Sequence, residues 1–465
     1  MSIQMTARRT DFDDTLENGL TRLRHACIKW PARLGQRGAA TVFALLLASA
    51  AWSASPAAPH TAESHRAAGS FTALTSVTLS SASSVSPSAA GTGYVRAIAP
   101  ERLQERTALL RTGEAALAQL DLDAAINAFD RAALIEHAAD TEMSLVRAYM
   151  QGGQYRRALA SAAHTAGAHL EVVAASALYA WLLSAGGQGV VGQHLLEEAR
   201  VRMPANPLVV GVQQQLRSGV PVATGALLNA PMRLAPYSSG PALPQRARVA
   251  SSGLLLAGGR QALVPIAALP NAKSARLWVR NGMGALSAAT LVARMPSVGV
   301  ALLELGTALP VANAPGVAAT EAFPGSAGFA VEYTTSPTAQ AAWPLLRAGF
   351  LGGMTGNPTK PEERALGISM PSGPRGGPVF DVAGRLIGIA LMPDKGPSRT
   401  SQKTLPILVL AATLRRELAK AAPATSLGAA PAESSAAPSD APGRMALDAM
   451  YENALRTTLQ VITLR

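Results

Sequence analysis

The stretch GPRGGPVFDVAGRLIGIAL, residues 373–391, decides the fold of the second half of this chain. Its paired glycines, Gly376 and Gly377, stand before a proline and predict a tight turn. Asp381 and Gly384 predict the turn of a β-hairpin, and residues 387–389 predict the strand that follows. A turn, a hairpin and an apolar strand in this order indicate a β-rich domain.

Three other stretches continue this pattern of short strands. Residues 251–256, SSGLLL, form an apolar strand entered by small residues, and ALVPIAALPNA at residues 262–272 follows after a glycine turn. Residues 297–305, SVGVALLEL, predict a further strand. Residues 405–418, LPILVLAATLRREL, fit a strand that passes into a helix. We therefore expect one β-rich domain over residues 249–420.

In their order and spacing, these stretches resemble the trypsin-like serine proteases of the bacterial Deg/HtrA branch. The resemblance implies an all-β double β-barrel. In that family the stretches carry a catalytic histidine, aspartate and serine. Laid on the family pattern, Ala267 stands in the histidine column, Gly299 in the aspartate column and Arg375 in the serine column. The resemblance thus implies a protease-like fold with a degenerate triad.

The β-rich domain holds no histidine to act as the base of such a site, since no histidine follows His194. A serine hydroxyl is a weak nucleophile at neutral pH unless a base activates it. We therefore expect a pseudoprotease, that is, a trypsin-like domain that cleaves nothing. We expect the guanidinium of Arg375 to point to solvent, with neutralisation of a partner's carboxylate as the alternative.

An active serine peptidase is the alternative reading of the same region. Ser372 lies three residues before Arg375 and would be its displaced nucleophile. Lysine replaces histidine as the base in some serine hydrolases. The candidates for such a lysine base are Lys360, Lys395 and Lys403. Their spacing does not favour a pairing with that serine.

The N-terminal end has the features of an export signal. Residues 1–37 form a leader with positively charged residues, residues 38–54 form an uncharged apolar run, and residues 55–100 are rich in Ala, Ser, Thr, Pro and Gly. This order predicts a signal peptide or an uncleaved signal anchor, followed by a disordered stalk. Both alternatives export the rest of the chain. We expect a periplasmic protein that is anchored to the inner membrane.

Residues 101–207 show helical periodicity with few breakers, near the period of a tetratricopeptide (TPR) repeat. They resemble the TPR family because small residues and an aromatic recur where paired helices approach. The positions that carry the resemblance are Gly113, Ala125, Phe129, Tyr149, Ala158 and Leu196. It implies α-helical hairpin repeats that bind a peptide or protein in a groove, and these positions are our candidate binding residues. A plain bundle of hairpins without a groove function is the alternative.

Four histidines fall within this helical region, namely His137, His164, His169 and His194. The separation of His164 and His169 places them on different helix faces, and the other two lie in separate repeats. Their spacing is therefore not that of a metal-ligand set. We interpret all four as surface or helix-end residues, and we expect neither a metal nor a cofactor.

The remaining segments are predicted to connect or to dock. Residues 208–248 are predicted to be a linker, and residues 421–444 a disordered linker rich in Ala, Pro and Ser. Residues 445–465 predict a short amphipathic helix or a strand. We expect this C-terminal segment to dock on a domain, in the groove of the repeats or in the inactive cleft.

The net charge of the chain and the distribution of its arginines indicate which class of partner to expect. The formal net charge is +12 at pH 7, but the arginines are spread thinly and do not cluster with aromatics, so we expect no nucleic-acid binding. We expect a multidomain, non-catalytic scaffold that binds a peptide or protein partner in the cell envelope. An exported serine endopeptidase with an atypical site is one alternative. An architectural envelope protein whose basic charge contacts anionic surfaces is the other.

Overall fold

A computed structural model of the chain describes most residues from Ile98 to Leu464. The described residues are 98–219, 222, 225–270, 276–311, 315–318, 323–355, 363–370, 373–392, 406–428 and 443–464. The predicted leader, the apolar run at 38–54 and nearly all of the predicted stalk lie outside them. Among the described helices, none combines the length and the apolar character that crossing a bilayer requires.

The first part of the described chain is helical. Its helices are α1 Pro100–Ala118, α2 Leu122–Ile135, α3 Ala139–Gln151, α4 Tyr155–Ala168, α5 Val173–Ala185, α6 Gly189–Arg202 and α7 Pro207–Ser218. They form consecutive hairpins, in which α1 packs on α2, α3 on α4 and α5 on α6. The last three odd-numbered helices begin 34 residues apart, at Ala139, Val173 and Pro207. These three helices therefore begin at a regular interval, whereas α1 begins at Pro100, outside that interval.

Helix α7 extends this region beyond the predicted boundary at residue 207. The Asn206 side chain accepts a hydrogen bond from the Leu208 N–H, and Pro207 occupies the first turn, where a missing N–H is tolerated. Gly219 ends the helix with a positive φ of 62°. The predicted linker at 208–248 therefore begins only after Ser218.

A close approach of paired helices explains the pattern of small and aromatic residues. A Cβ atom at Gly113 would lie 2.3 Å from the ring of Phe129, so the ring fills the space that the glycine leaves. A Cβ atom at Gly186 would likewise collide with the Tyr155 side chain. The Tyr155 hydroxyl donates to the Leu182 carbonyl at 2.9 Å. The predicted meeting of small and aromatic residues is confirmed at Gly113.

The second part of the chain forms two closed barrels of six strands, and every pair of neighbouring strands is antiparallel. The strands are β1 Ala247–Leu255, β2 Gln261–Pro265, β3 Leu277–Asn281, β4 Leu286–Met295, β5 Val300–Leu305, β6 Ala327–Glu332, β7 Leu345–Met354, β8 Glu363–Gly367, β9 Pro378–Phe380, β10 Leu386–Leu391, β11 Ile407–Leu410 and β12 Thr458–Leu464. The order β1, β12, β3, β4, β5, β2 closes the first barrel, and β10, β11, β8, β7, β6, β9 closes the second. This is the architecture expected of a trypsin-like domain, so the predicted double β-barrel is confirmed.

The predicted hairpin at residues 380–386 joins β9 to β10. One carboxylate oxygen of Asp381 accepts hydrogen bonds from the backbone N–H groups of Ala383 and Arg385, at 2.9 Å each. Gly384 has a φ of 73°, which glycine adopts without strain. Further on, β11 passes directly into helix α8, Ala411–Ala421, as the sequence predicts.

The C-terminal segment contacts both regions, because its helical part packs on α4 and its last residues join a barrel. It forms helix α9, Leu447–Thr457, and then β12, which pairs with β1 on one side and with β3 on the other. Docking on a domain is thus confirmed, but as the sixth strand of the first barrel. The barrel region is therefore discontinuous in sequence, because its first barrel needs the far end of the chain.

One hydrophobic core runs through the helices and both barrels. It includes Met143 and Leu178 of the helical region, Leu302 of the first barrel, Phe380 of the second barrel and Tyr451 of α9. The described residues between 98 and 464 accordingly belong to one compact unit. The helices and the barrels do not behave as separate bodies joined by an open linker.

The chain's own residues cover α3 and α5, which are buried over most of their surface. Gln151, at the end of α3, donates to the Tyr237 carbonyl at 3.1 Å and accepts from its N–H at 2.8 Å. Trp181 of α5 packs on Trp343, with ring centroids 5.3 Å apart. The connector after α7 and the second barrel thus occupy the surface that these two helices would offer to a ligand.

Candidate functional site

Two turns of the first barrel and one of the second line a common cavity of about 280 Å³. Strand β2 runs into a single 3-10 turn, Ile266–Ala268, which carries Ala267. Another such turn, Pro296–Val298, ends at Gly299, directly before β5. The glycine turn ahead of β9 carries Arg375. All three predicted triad columns, Ala267, Gly299 and Arg375, line this cavity.

The rest of the described lining is apolar. It consists of Pro265, Ile266, Pro296, Pro374, Leu391, Met392 and Ile407. Catalysis by proton transfer or by a nucleophile needs an ionisable or nucleophilic side chain within hydrogen-bond reach. Among the described lining residues, Arg375 alone is ionisable, and none carries an imidazole, a carboxylate, a hydroxyl or a thiol. These walls hold no group that would activate a nucleophile.

The side chain of Arg375 is buried, with only 4% of it exposed. Its Nη1 donates to Oε2 of Glu332 at 3.0 Å, and Nε of Arg347 donates to the other oxygen at 3.1 Å. The expectation that Arg375 points to solvent is therefore wrong. A buried guanidinium requires a counter-charge, and Glu332, at the end of β6, supplies it from within the chain. The cavity consequently presents no free cation from Arg375.

Glycine is required at two positions of the site because backbone carbonyl groups approach them closely. A Cβ atom at Gly376 would lie 2.2 Å from the Ser252 carbonyl oxygen, and one at Gly377 would lie 2.2 Å from the Val331 carbonyl oxygen. The turn therefore fits between β1 of the first barrel and β6 of the second. Gly299 has a φ of 67°, a backbone conformation that favours glycine.

The candidate residues of an active peptidase are not part of this description. Ser372 and the three lysines, Lys360, Lys395 and Lys403, lie outside the described residues. The displaced nucleophile therefore stays a prediction.

The six candidate binding positions of the helical region are all buried. They are Gly113, Ala125, Phe129, Tyr149, Ala158 and Leu196. Even the most exposed side chain among the five with a Cβ atom, that of Tyr149, is only 6% exposed. They are packing positions between helices, so a ligand would have to contact other side chains.

Three of the four helical histidines converge on one carboxylate. The Nε2 atoms of His137, His169 and His164 lie 2.7, 3.6 and 3.9 Å from Oε1 of Glu142. His137 and His164 are exposed and His169 directly follows α4, as the sequence predicts. The three nevertheless lie close together, because the turn before α3 and the end of α4 lie side by side. The spacing of these residues in the sequence does not predict their contact with Glu142, although a Glu five residues after a His, as in Glu142 after His137, is a signal worth testing. His194 lies apart and is exposed, as predicted.

No family model and no curated protein matches the chain. Among solved structures, the chain is similar to the crystal structure of the MamO protease domain from Magnetospirillum magneticum in its apo form. The sequence identity is 20% and the TM-score is 0.28, and the match covers 35% of this chain and 85% of that chain. The trypsin-like fold of the barrel region rests on its own topology, two closed barrels of six strands.

Proposed function

We propose that this chain is an exported, non-catalytic binding protein whose trypsin-like double barrel holds a peptide or protein partner without cleaving it. The observation that carries the proposal is the lining of the cavity, where Ala267, Gly299 and the buried Arg375 meet. Without an imidazole and a free hydroxyl in these columns, the acyl transfer of a serine peptidase has neither its base nor its nucleophile.

The size and polarity of the cavity support binding. A volume of about 280 Å³ is close to the lower end of the range for ligand pockets, about 300 Å³. The apolar walls favour an apolar side chain, because burying such a side chain releases its hydration water. A bound peptide would place one or two apolar side chains there.

The helical hairpins are TPR-like in this proposal, and the 34-residue spacing of Ala139, Val173 and Pro207 supports that assignment. Their proposed role is to support the rest of this chain and not to bind a partner. The connector around Tyr237 and the second barrel cover α3 and α5, so the hairpins hold the barrels in place. The partner therefore binds at the barrels, not in a groove of the repeats.

The proposed location is the periplasm, with the N-terminal segment in the inner membrane. The order of a positively charged leader, an apolar run and a low-complexity stalk supports this location. The partner is then a component of the cell envelope.

The proposal is tested with a library of fluorescence-quenched peptides. We incubate the purified full chain with the library and measure cleavage, and we measure binding of the same peptides by fluorescence anisotropy. We expect binding without cleavage, and no difference in turnover between the natural chain and Ser372→Ala. Cleavage that is lost in Ser372→Ala would establish the endopeptidase alternative instead.

A pair of tryptophan variants locates the bound peptide. Ala267 is exposed at the wall of the cavity, so Ala267→Trp fills the cavity without displacing core residues. We expect this variant to bind the peptides more weakly, and Leu134→Trp, at an 84% exposed position of α2, to bind them normally. Equal binding by both variants would place the partner elsewhere. Salt-sensitive binding to anionic vesicles, with no peptide binding, would favour the architectural alternative.

A further inference from the structure

Three imidazoles surround one buried carboxylate in the helical region. His137 lies in the turn between α2 and α3, and Glu142 lies in the first part of α3. His164 lies on α4, and His169 directly follows that helix. The hairpin of α3 and α4 thus collects residues that are far apart in sequence around the Glu142 side chain.

The spacing of the ligand atoms suits a metal ion. The ligand atoms of His137, Glu142 and His169 all lie within 4.8 Å of one another. In a tetrahedral zinc site with bonds of about 2.1 Å, neighbouring ligand atoms are about 3.4 Å apart. The distances from Glu142 Oε1 to the three Nε2 atoms, 2.7 to 3.9 Å, lie on both sides of that value. An ion fits among them after small side-chain rotations.

The polar atoms at the centre of this cluster lack hydrogen-bond partners. Glu142 is 8% exposed, and both of its carboxylate oxygens are buried without a hydrogen bond in the described structure, as is Nε2 of His169. Nε2 of His137 lies 2.7 Å from Oε1 of Glu142, but this contact is not a hydrogen bond in the described structure. Burying a carboxylate without compensation is unfavourable. A cation at this point would balance the charge of the Glu142 carboxylate and give its two oxygens and Nε2 of His169 a partner.

A further carboxylate supports the orientation of one ligand. Nδ1 of His169 lies 3.5 Å from Oε1 of Glu171, on the side of the ring opposite to Glu142. Metal-binding histidines commonly place their second nitrogen against a carboxylate, which fixes the ring and leaves the other nitrogen free for the metal. Nδ1 of His169 lies near such a carboxylate, at a distance that a small side-chain rotation would shorten to a hydrogen bond.

We propose that His137, Glu142 and His169 bind a divalent transition-metal ion of the zinc class. His164, whose Nε2 lies 3.9 Å from Oε1 of Glu142, stands beside this set of three ligands. Imidazole and carboxylate ligands without thiolates suit Zn²⁺, and also Ni²⁺ and Cu²⁺. The ion would join the turn before α3 to the end of α4. This site is separate from the cavity between the barrels and does not depend on the proposed function.

The test is a Zn²⁺ titration of the purified full chain by calorimetry, with Co²⁺ absorption as the report on tetrahedral geometry. We expect His137→Ala combined with His169→Ala to weaken Zn²⁺ binding about 100-fold or more, since loss of an outer-shell partner alone weakens it about 10-fold to 100-fold. His194→Ala is the matched control and should bind as the natural chain does. Equal affinity of the natural chain and the double variant would overturn the proposal.

Two further variants separate metal binding from an ion pair and from misfolding. Glu171→Gln should weaken Zn²⁺ binding about 10-fold, because it removes only the outer-shell carboxylate. His137→Ala alters a side chain that is 63% exposed, so this variant folds, and Zn²⁺ should no longer raise its unfolding temperature. If Zn²⁺ has no effect on the unfolding temperature of the natural chain while mild acid raises it, the cluster is an ion pair of protonated histidine with Glu142, and the proposal is wrong.

Discussion

Glu332 accepts hydrogen bonds from two arginines, Arg375 and Arg347, and it is only 3% exposed. We predict that Glu332→Ala lowers the free energy of unfolding by about 3 to 5 kcal/mol, because it leaves Arg375 buried without a counter-charge. Arg347→Ala should lower it by about 1 kcal/mol or less, since 27% of that side chain is exposed to solvent. Urea unfolding measures the loss in free energy of unfolding of each variant. Equal losses in the two variants would contradict this role of Glu332.

Buried tyrosines make the stability of the fold depend on pH in the alkaline range. Burial raises the pKa of Tyr333 above its ordinary value of 10.0, against an opposing effect of the charge on Arg280. Burial likewise raises the pKa of Tyr155 and of Tyr451. Below pH 10 the phenols are protonated in both the folded and the unfolded state, so their ionisation does not lower the free energy of unfolding. Above pH 10 the unfolded chain ionises first, so stability falls by about 1.4 kcal/mol per pH unit for each such tyrosine.

Tyr333→Phe tests this dependence at one residue. The Tyr333 hydroxyl has no hydrogen-bond partner in the described structure, so its removal should leave the free energy of unfolding at pH 7 nearly unchanged. Between pH 10 and 11, we expect the decline in stability of the variant to be shallower than that of the natural chain by about 1 kcal/mol, because the unfolded tyrosine is already half ionised at pH 10. Urea unfolding at a series of pH values measures it. Parallel curves for the two proteins would exclude ionisation of Tyr333 as a cause.

Local residue chemistry was predictable from sequence, and long-range partners were not. Gly376, Asp381 and Gly384 act within a few residues of themselves, so their turns follow from residue type. The counter-charge of Arg375, a turn residue, lies on strand β6. Glu142 is approached by histidines from two separate segments of the chain. Such partners depend on how strands and helices pack, which residue type does not encode.

At the scale of elements, the C-terminal strand β12 is the least expected member of the fold. Its residues are buried on both faces from Thr458 to Thr463, and it pairs with β1 and β3. The apolar pattern predicted a strand or helix that docks. The pattern did not identify its neighbours, because pairing between distant strands is set by the closure of the barrel.

We predict that truncation after Gly443 prevents the first barrel from closing. Removing β12 leaves unpaired backbone groups along β1 and β3, which a buried strand does not tolerate. The truncated chain should lose cooperative thermal unfolding. A synthetic peptide of residues 444–465 added in trans should restore it. Unchanged unfolding of the truncated chain would contradict this role for β12.

At the scale of the whole molecule, the helices and the two barrels share one core. Tyr451 of α9 packs against Tyr155 of α4, with ring centroids 4.5 Å apart, and donates to the Pro344 carbonyl at 2.7 Å. Sequence patterns predicted the helical and β-rich regions separately and placed an open linker between them. The packing of one region on the other involves side chains from many segments, so it is not visible in any one of them.

We predict that the described region unfolds in a single cooperative transition. Far-UV circular dichroism reports mainly on the helices, and tryptophan fluorescence reports on tryptophans that include the buried Trp181, Trp278 and Trp343. The two signals should change at the same urea concentration, because separate loss of the helices would expose the shared core. Trp181→Ala, which weakens the contact of this residue with Trp343, is expected to lower the common midpoint. Two separate midpoints in the natural chain would indicate independent domains.

Covalent labelling with a fluorophosphonate tests most directly whether the cleft between the barrels is inert. Such a reagent reacts with an activated serine whatever the substrate, so the result does not depend on the choice of peptide. The full chain, its Ser372→Ala variant and trypsin as a positive control are incubated with the reagent, and their intact masses are measured. We expect an adduct on trypsin and none on either form of this chain. An adduct on the natural chain that Ser372→Ala abolishes would show an activated serine and would contradict a non-catalytic cleft.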